Sequence, residues 1–497
     1  MEGKKPAIFL LFLSLFIGFA VLLFRLFWLQ IIKGDYYRLL SDENRIKIQE
    51  LAAPRGVLYD REGNVLVRNR PEGREYVYGL ELAHVTGYIG EASAEEIKTG
   101  KWKLGDILGK FGLEKYYDLK LRGESGGVLV ETDVDGKVIR EISRQEPKPG
   151  EDLKTNIDSE IQKKAIELLA SKKGAIVATT PKGEVLILAS SPSFDPNVFT
   201  LKTAKDQSQK IESIFSNPDQ PFFNRAITGL YPPGSTFKIV TSTAGLEEAK
   251  IDANTLIEDT GQIKVGIWTF GNWYFNQYGK TEGMVDLVKA LKRSNDIYYY
   301  RVGELLGISK LANWANYFGF GRETGIDLGG EVGGLVPTPE WKTENKDEAW
   351  YLGDTFITAI GQGDLLTTPL QVNMMTNVIA SGGLLCQPTL LQSEQEKCEQ
   401  LKIDKENLEL VRKGMTEVCS EGGTAWPFFD FKPQVACKTG TAEYGDPKGK
   451  THAWFTVFAP VDNPEIVVTV LLEEAGEGSD KAAPLAKEIL KEWFKEK

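Results

Sequence analysis

The chain has 497 residues, enough for about three average domains, with 42% hydrophobic and 26% charged residues, which excludes a wholly disordered or low-complexity protein. Its formal charge of -11 provides no broad cationic surface, and no basic run carries interleaved aromatics. Nucleic acid is therefore not expected as a partner.

The first predicted element is "PAIFLLFLSLFIGFAVLLF", Pro6 to Phe24, an uncharged run of roughly the length that crosses a bilayer. Arg25 can snorkel to the headgroups and Trp28 suits the interface. Arg, Phe, Trp and Gln follow the run instead of the small residues of a cleavage site, so an uncleaved anchor over 7–32 behind a cytoplasmic tail of 1–6 is expected. Lys4 and Lys5 favour a cytoplasmic amino end, against the opposing pull of Arg25, Lys33 and Arg38.

Residues 35–153 read as a small β-rich module. "GVLYDREGNVLV" (Gly56 to Val67) and the pair of strand-like runs around Asp135-Gly136 predict hairpins. Helical spacing at Ile161, Ala165, Leu168 and Leu169 then marks a boundary near 154. Beyond it, "GAIVATTPKGEVLILAS" predicts a hairpin and "MVDLVKALKRSNDIYYYRVGELLG" a long helical pattern. "EIVVTVLLEE" predicts a strand, and a last helix follows from about Ala482. Helices lying between early and late strands predict an α+β fold with an antiparallel sheet over 154–497. No internal repeat is found.

All four cysteines lie late in the chain. They allow three pairings, of which Cys386 with Cys398 and Cys419 with Cys437 is the expectation, with four unpaired thiols as the alternative.

Chemistry is narrowed by elimination. Only His84 and His452 are present, and no Cys/His cluster has zinc-ligand spacing, so histidine-dependent triads and structural zinc are disfavoured. The "GKT" triplets at Gly279 and Gly449 lack the glycine of a phosphate-binding loop, and no G-x-G-x-x-G occurs. No metal or cofactor is expected.

"YPPGSTFKIVTSTAGLEEAK" (231–250) offers another route. Pro232, Pro233 and Gly234 precede a helix start, and Ser235 and Lys238 stand three apart on one face. Phe237, Ile239, Val240 and Ala244 make an apolar setting that disfavours the ammonium. A serine beside such an amine can be activated without histidine. Ser-x-x-Lys alone arises by chance and a helical lysine is usually solvated, so partners must be present in order. Ser294-Asn295-Asp296 follows on a helical stretch, and "KTGTAE", Lys438 to Glu443, on a strand-like one, completing a recognised trio. A second "KTG" at Lys98 to Gly100 precedes the serine and is assigned to a loop.

With these motifs the sequence resembles the class B penicillin-binding proteins, membrane-anchored D,D-transpeptidases of bacterial wall synthesis. The resemblance extends through "RGVLYDREGNVL" (55–66), "HVTGYIG" (84–90), "GLEKYYDLKLRG" (112–123), "TGIDLGGE" (324–331), "IGQGDLLTTPLQ" (360–371) and "HAWFTVFAP" (452–460). The "IGQG" stretch and the Asp closing the second motif look more like the elongation type than the septal type. Two departures stand out: a short module between anchor and catalytic domain, and Cys437 where the family commonly has Gly. The resemblance implies the penicillin-binding/serine β-lactamase-like fold over 154–497, a short pedestal of the dimerisation kind over 35–153, and one transmembrane helix.

It also implies roles. Ser235 attacks the penultimate D-Ala carbonyl of a stem peptide and expels the terminal D-Ala, and a neighbouring stem's amine then resolves the acyl-enzyme. Lys238 serves as base, Ser294 relays the proton between Lys238 and Lys438, and Asp296 fixes its helix segment beside the substrate. Thr439 and Thr441 bind the substrate carboxylate, Gly440 keeps the strand edge open, and the Ser235 and Thr441 N–H groups form the oxyanion hole. β-Lactams acylate the same serine. Expected partners are stem peptides, the membrane and a polytopic glycan polymerase of the SEDS type. The competing readings are a β-lactamase or β-lactam sensor, told apart by how long the acyl-enzyme lasts, and a D,D-carboxypeptidase, told apart by its products. A wall-enzyme scaffold is the third, with the intact trio against it. His452 and Trp454 are expected only to pack under the sheet, and Tyr298 to Tyr300 to be core and helix surface.

Overall fold

The computed structural model describes residues 5–71, 73–133, 135–200, 204–392, 397–445 and 449–495. The expected tail up to Lys4 lies outside them. The chain forms two compact units: residues up to Gly56 with Arg122–Glu151, and Val57–Leu121 with Asp152–Lys497.

The first unit begins with a helix, Lys5–Phe27, continued by a π-helical turn, Trp28–Ile32. Its apolar stretch Pro6–Ile32 has 27 residues, includes an 18-residue window of mean hydropathy 2.9 with no buried part, and is longer than the roughly 20 residues a bilayer core requires. After a helix at Gly34–Arg45, strands Ile46–Leu51, Gly126–Thr132 and Val138–Gln145 form an antiparallel sheet with the second in the middle. The hairpin expected at Asp135-Gly136 is present, and it turns because the Asp133 carboxylate accepts the N–H groups of Asp135 (3.0 Å) and Lys137 (2.9 Å).

The second unit centres on five antiparallel strands: β1 (Gly174–Thr179), β2 (Val185–Ser191), β3 (Ala436–Glu443), β4 (Thr451–Ala459) and β5 (Ile466–Leu472), in spatial order β2-β1-β5-β4-β3. Strand β5 is buried at every position because helices cover both faces, which explains its unbroken apolar sequence. Helices α1 (Ser159–Leu169) and α7 (Gly478–Lys495) pack on the sheet together, and α5 (Pro369–Ala380) also packs against β1, β4 and β5. The last helix thus starts at Gly478, ahead of the expected Ala482.

The further helices include α2 (Lys238–Glu247), α3 (Leu287–Arg293), α4 (Asp296–Leu306) and α6 (Lys405–Val418). The helical pattern expected across Ser294 is broken there. Ser294 takes a left-handed backbone, φ 53°, and the Asn295 side chain accepts the Tyr298 N–H as a new N-cap. Short polar side chains compete with helix hydrogen bonds in this way.

The early segment 57–121 is tied into this second unit. Asp327, from "TGIDLGGE", accepts the N–H groups of Leu390 (2.5 Å) and Leu391 (3.0 Å) and the Tyr117 hydroxyl (2.8 Å). Arg74 and Glu114 form a buried ion pair at 2.7 Å within the segment. Disulfides join Cys386 to Cys398 and Cys419 to Cys437, as expected. The second links the end of α6 to β3 one residue before Lys438.

Candidate active site

Ser235 lies in a short 3-10 turn, Gly234–Phe237, and Lys238 is the first residue of α2. The turn is held from three sides. The Gly234 N–H donates to Gly361 O at 2.8 Å, the Thr236 hydroxyl to Pro233 O at 2.8 Å, and the Trp454 indole to Pro232 O at 2.9 Å. Gly234 has φ 54°, and a Cβ built on Gly361 would meet Gly234 O at 2.1 Å. Glycine at 361 is therefore what lets the "IGQG" loop, which lies ahead of α5, approach the turn. The Ser235 side chain is half-buried and accessible, and among the described residues no hydrogen bond engages its hydroxyl.

Behind it, two lysines converge on one serine. Lys238 and Lys438 are both fully buried. Lys238 Nζ donates to the Ser294 carbonyl (2.8 Å), to Ser294 Oγ (3.3 Å) and to Asp296 Oδ1 (2.6 Å). Lys438 Nζ donates to Ser294 Oγ at 3.0 Å and to Thr439 O at 3.0 Å. The Ser294 hydroxyl thus bridges the two amines, as its place between the motifs implied. Burial pushes the Lys238 amine below its ordinary value, with Asp296 pulling the other way. Burial and then the charge of Lys238 push Lys438 well below its own. Both shifts favour neutral amines at the site. The Tyr299 ring lies 5.3 Å from Lys238 Nζ and, like Tyr298 and Tyr300, belongs to the core.

The junction between α3 and α4 is fixed by a polar cluster. Asp259 Oδ2 accepts from Asn272 Nδ2, Asn295 Nδ2 and the Glu282 N–H, each at 2.9 Å, and Asn272 Oδ1 accepts the Asp296 N–H at 3.1 Å. Asp296 Oδ2 accepts the Trp273 N–H at 2.9 Å. Expected beside the substrate, Asp296 instead turns inward onto Lys238 and is 8% exposed.

Strand β3 is the sheet edge next to the turn. The Thr439 hydroxyl pairs with that of Thr424 at 2.7 Å, and Thr441 is half-buried on the same strand face. A Cβ on Gly440 would lie 2.9 Å from Trp454 Cβ and 3.2 Å from Pro233 O. Glycine there admits the serine turn, a closer reason than the openness to substrate expected from the sequence. Gln362, in "IGQG", stitches loop to strand: Nε2 donates to Thr441 O (3.1 Å), and Oε1 accepts the Glu443 N–H (3.2 Å).

The structure therefore brings together Ser235, Lys238, Ser294, Asp296 and the 438–441 strand. Sequence reasoning missed Gln362 and Trp454 as supports of the site. Both stood in quoted stretches, "IGQG" and "HAWF", which is the signal that could have found them.

Known proteins share this fold. Residues 174–491 match the family model described as the penicillin binding protein transpeptidase domain, and residues 71–155 match the penicillin-binding protein dimerisation domain. The chain belongs to the class B penicillin-binding protein transpeptidases. It is 32% identical over 584 residues to the peptidoglycan D,D-transpeptidase MrdA of Acinetobacter baumannii, spanning 95% of this chain and 85% of that one. A solved complex of PBP2 and MreC from Helicobacter pylori superposes with TM-score 0.82 at 28% identity, over 90% of this chain and 99% of that one. A solved peptidoglycan synthase complex that coordinates polymerization and crosslinking contains a chain with TM-score 0.80 at 30% identity, over 99% and 98%.

Gly361→Ala tests the close approach of the loop to the turn. Because misplacing reacting groups by an ångström costs about 10²-fold, the variant is expected to react with a fluorescent penicillin about a hundredfold more slowly while still folding, read by stopped-flow acylation beside circular dichroism.

Proposed function

We propose that this chain crosslinks peptidoglycan stem peptides as an elongation-type, serine D,D-transpeptidase, with Ser235 as nucleophile and Lys238 as its base. The observation that carries the assignment of roles is the Ser294 hydroxyl, within hydrogen-bonding distance of two fully buried lysine amines behind the serine turn. A neutral Lys238 amine takes the Ser235 proton as Oγ bonds to the penultimate D-Ala carbonyl carbon. Ser294 passes a proton to the departing D-Ala nitrogen and takes in its place the one Lys238 gained from Ser235, so that Lys238 ends neutral again, with Lys438 holding the same hydroxyl. The N–H groups of Ser235 and Thr441 receive the developing oxyanion, each worth about 3 kcal/mol. Thr439 and Thr441 hydroxyls bind the terminal carboxylate. Asp296 positions Lys238, and Gly440 admits the serine turn to the strand.

A β-lactam takes the place of the D-Ala-D-Ala end and acylates Ser235. We assign 7–32 as a single membrane span behind a cytoplasmic tail, 35–153 as the pedestal and 154–497 as the extracytoplasmic catalytic domain. Two disulfides suit an oxidising compartment outside the membrane. The similarity to a chain of a synthase complex that polymerises and crosslinks supports a polytopic glycan polymerase as partner. Similarity to PBP2 bound to MreC supports a second contact with a protein of that kind.

Ser235→Ala is expected to abolish both crosslinked product and penicillin labelling, and Lys238→Ala to slow acylation by about 10²–10⁴-fold. Labelling of Ser235→Ala at the wild-type rate would refute the nucleophile, and an unslowed Lys238→Ala would refute the base. The sign of the pH dependence follows from the depressed amine. The reactive neutral form of Lys238 grows as pH rises, so the acylation rate is expected to climb along an acid limb centred below the ordinary lysine value of 10.5, measured by stopped-flow across pH.

A further inference from the structure

Beside the Ser235 turn lies a cavity of about 910 Å³, whose walls include Pro232, Ile360, Gln362, Glu443, His452 and Glu473. It borders the reaction centre directly: Pro232 leads into the turn, and Gln362 holds the Thr441 carbonyl. Among the described residues its walls contain two carboxylates and no lysine or arginine.

The two carboxylates differ. Glu473 is matched, accepting the Tyr231 hydroxyl at 2.6 Å and Arg225 Nε at 2.8 Å. Glu443 is exposed at the end of β3, and among the described residues no cation pairs with it. Strand alternation places it on the face of Thr439 and Thr441, about 7 Å beyond Thr441. The neighbouring His452 ring is buried, stacked on Tyr444 at 4.4 Å, and held below its ordinary value by burial. It adds no positive charge to the cavity.

We propose that this cavity receives the acceptor stem, and that Glu443 draws the acceptor's primary amine, arriving as an ammonium, toward the ester on Ser235. This rests on the transpeptidase reading above and adds the acceptor subsite to it. The ammonium first releases one proton to solvent. The amine nitrogen then bonds to the ester carbonyl carbon, the carbon to Ser235 oxygen bond breaks, and a second proton moves from nitrogen to that oxygen. An amide and a free Ser235 hydroxyl result, with no change of oxidation state. Glu443 acts as a positioning residue for the amine, through charge.

The test uses the full-length protein in detergent, a peptidyl thioester donor, and two acceptors: Nα-acetyl-lysine, which is cationic, and methanol, which is neutral. Glu443→Gln is expected to lower the ratio of transfer to hydrolysis about fivefold for Nα-acetyl-lysine, through a higher KM for the amine, the size of effect an exposed charge pair gives. Methanol transfer is expected to hold its ratio, and Glu443→Asp to recover most of the amine transfer. An unchanged ratio for Nα-acetyl-lysine, or an equal fall for both acceptors, overturns the proposal. Penicillin labelling of the wild-type chain runs in parallel. If wild type neither takes penicillin nor transfers to either acceptor, the transpeptidase reading itself fails, and the subsite with it.

Discussion

The site depends on burying two lysine amines against one hydroxyl. Two ammonium groups sharing a dry pocket repel each other and lose their hydration, so the pocket is tolerable only if the proton load on it is low. Asp296 compensates one amine at 2.6 Å, Ser294 accepts from both, and burial lowers the proton affinity of each. The cost of desolvation that would make such a cluster a poor stabilising device is what suits it to the neutral base proposed for Lys238.

The surrounding fold serves that convergence. Lys238 and Lys438 reach Ser294 across 56 and 144 residues of sequence. One comes from the first residue of a helix, one from an edge strand, and Ser294 itself from a break between helices. Each support is short in range and stiff: a 3-10 turn locked by Gly361 and Trp454, a strand edge stripped of a side chain at Gly440, and the Asp259 cluster beneath the helix break. The Cys419–Cys437 bridge adds a covalent tie one residue from Lys438. Rigid supports of this kind hold reacting groups in place before substrate arrives.

Much of this was legible in the sequence. The Ser-x-x-Lys, Ser-Asn-Asp and Lys-Thr-Gly spacings carry chemistry in their side chains, and hairpins such as 174–191 show in β-rich runs flanking Pro181 to Gly183. The anchor was plain from its length and lack of charge. What the sequence hid depends on contacts between distant segments. The helical pattern across Ser294 reads as continuous because the cluster that holds the Asn295 cap comes from Asp259 and Asn272, beyond any local window. Asp296 looked available to substrate because its partner Lys238 lies 58 residues away. Gln362 and Trp454 act through main-chain carbonyls, and no residue pattern announces that use. The grouping of 57–121 with the catalytic unit likewise rests on pairs such as Tyr117 and Asp327, 210 residues apart.

The most direct test of the central claim is a peptide map, by mass spectrometry, of the full-length protein after reaction with penicillin. The account predicts one lasting adduct, carried on Ser235 in the "YPPGSTFK" peptide. An adduct on any other residue, or complete absence of one under conditions where the protein is folded, would contradict it.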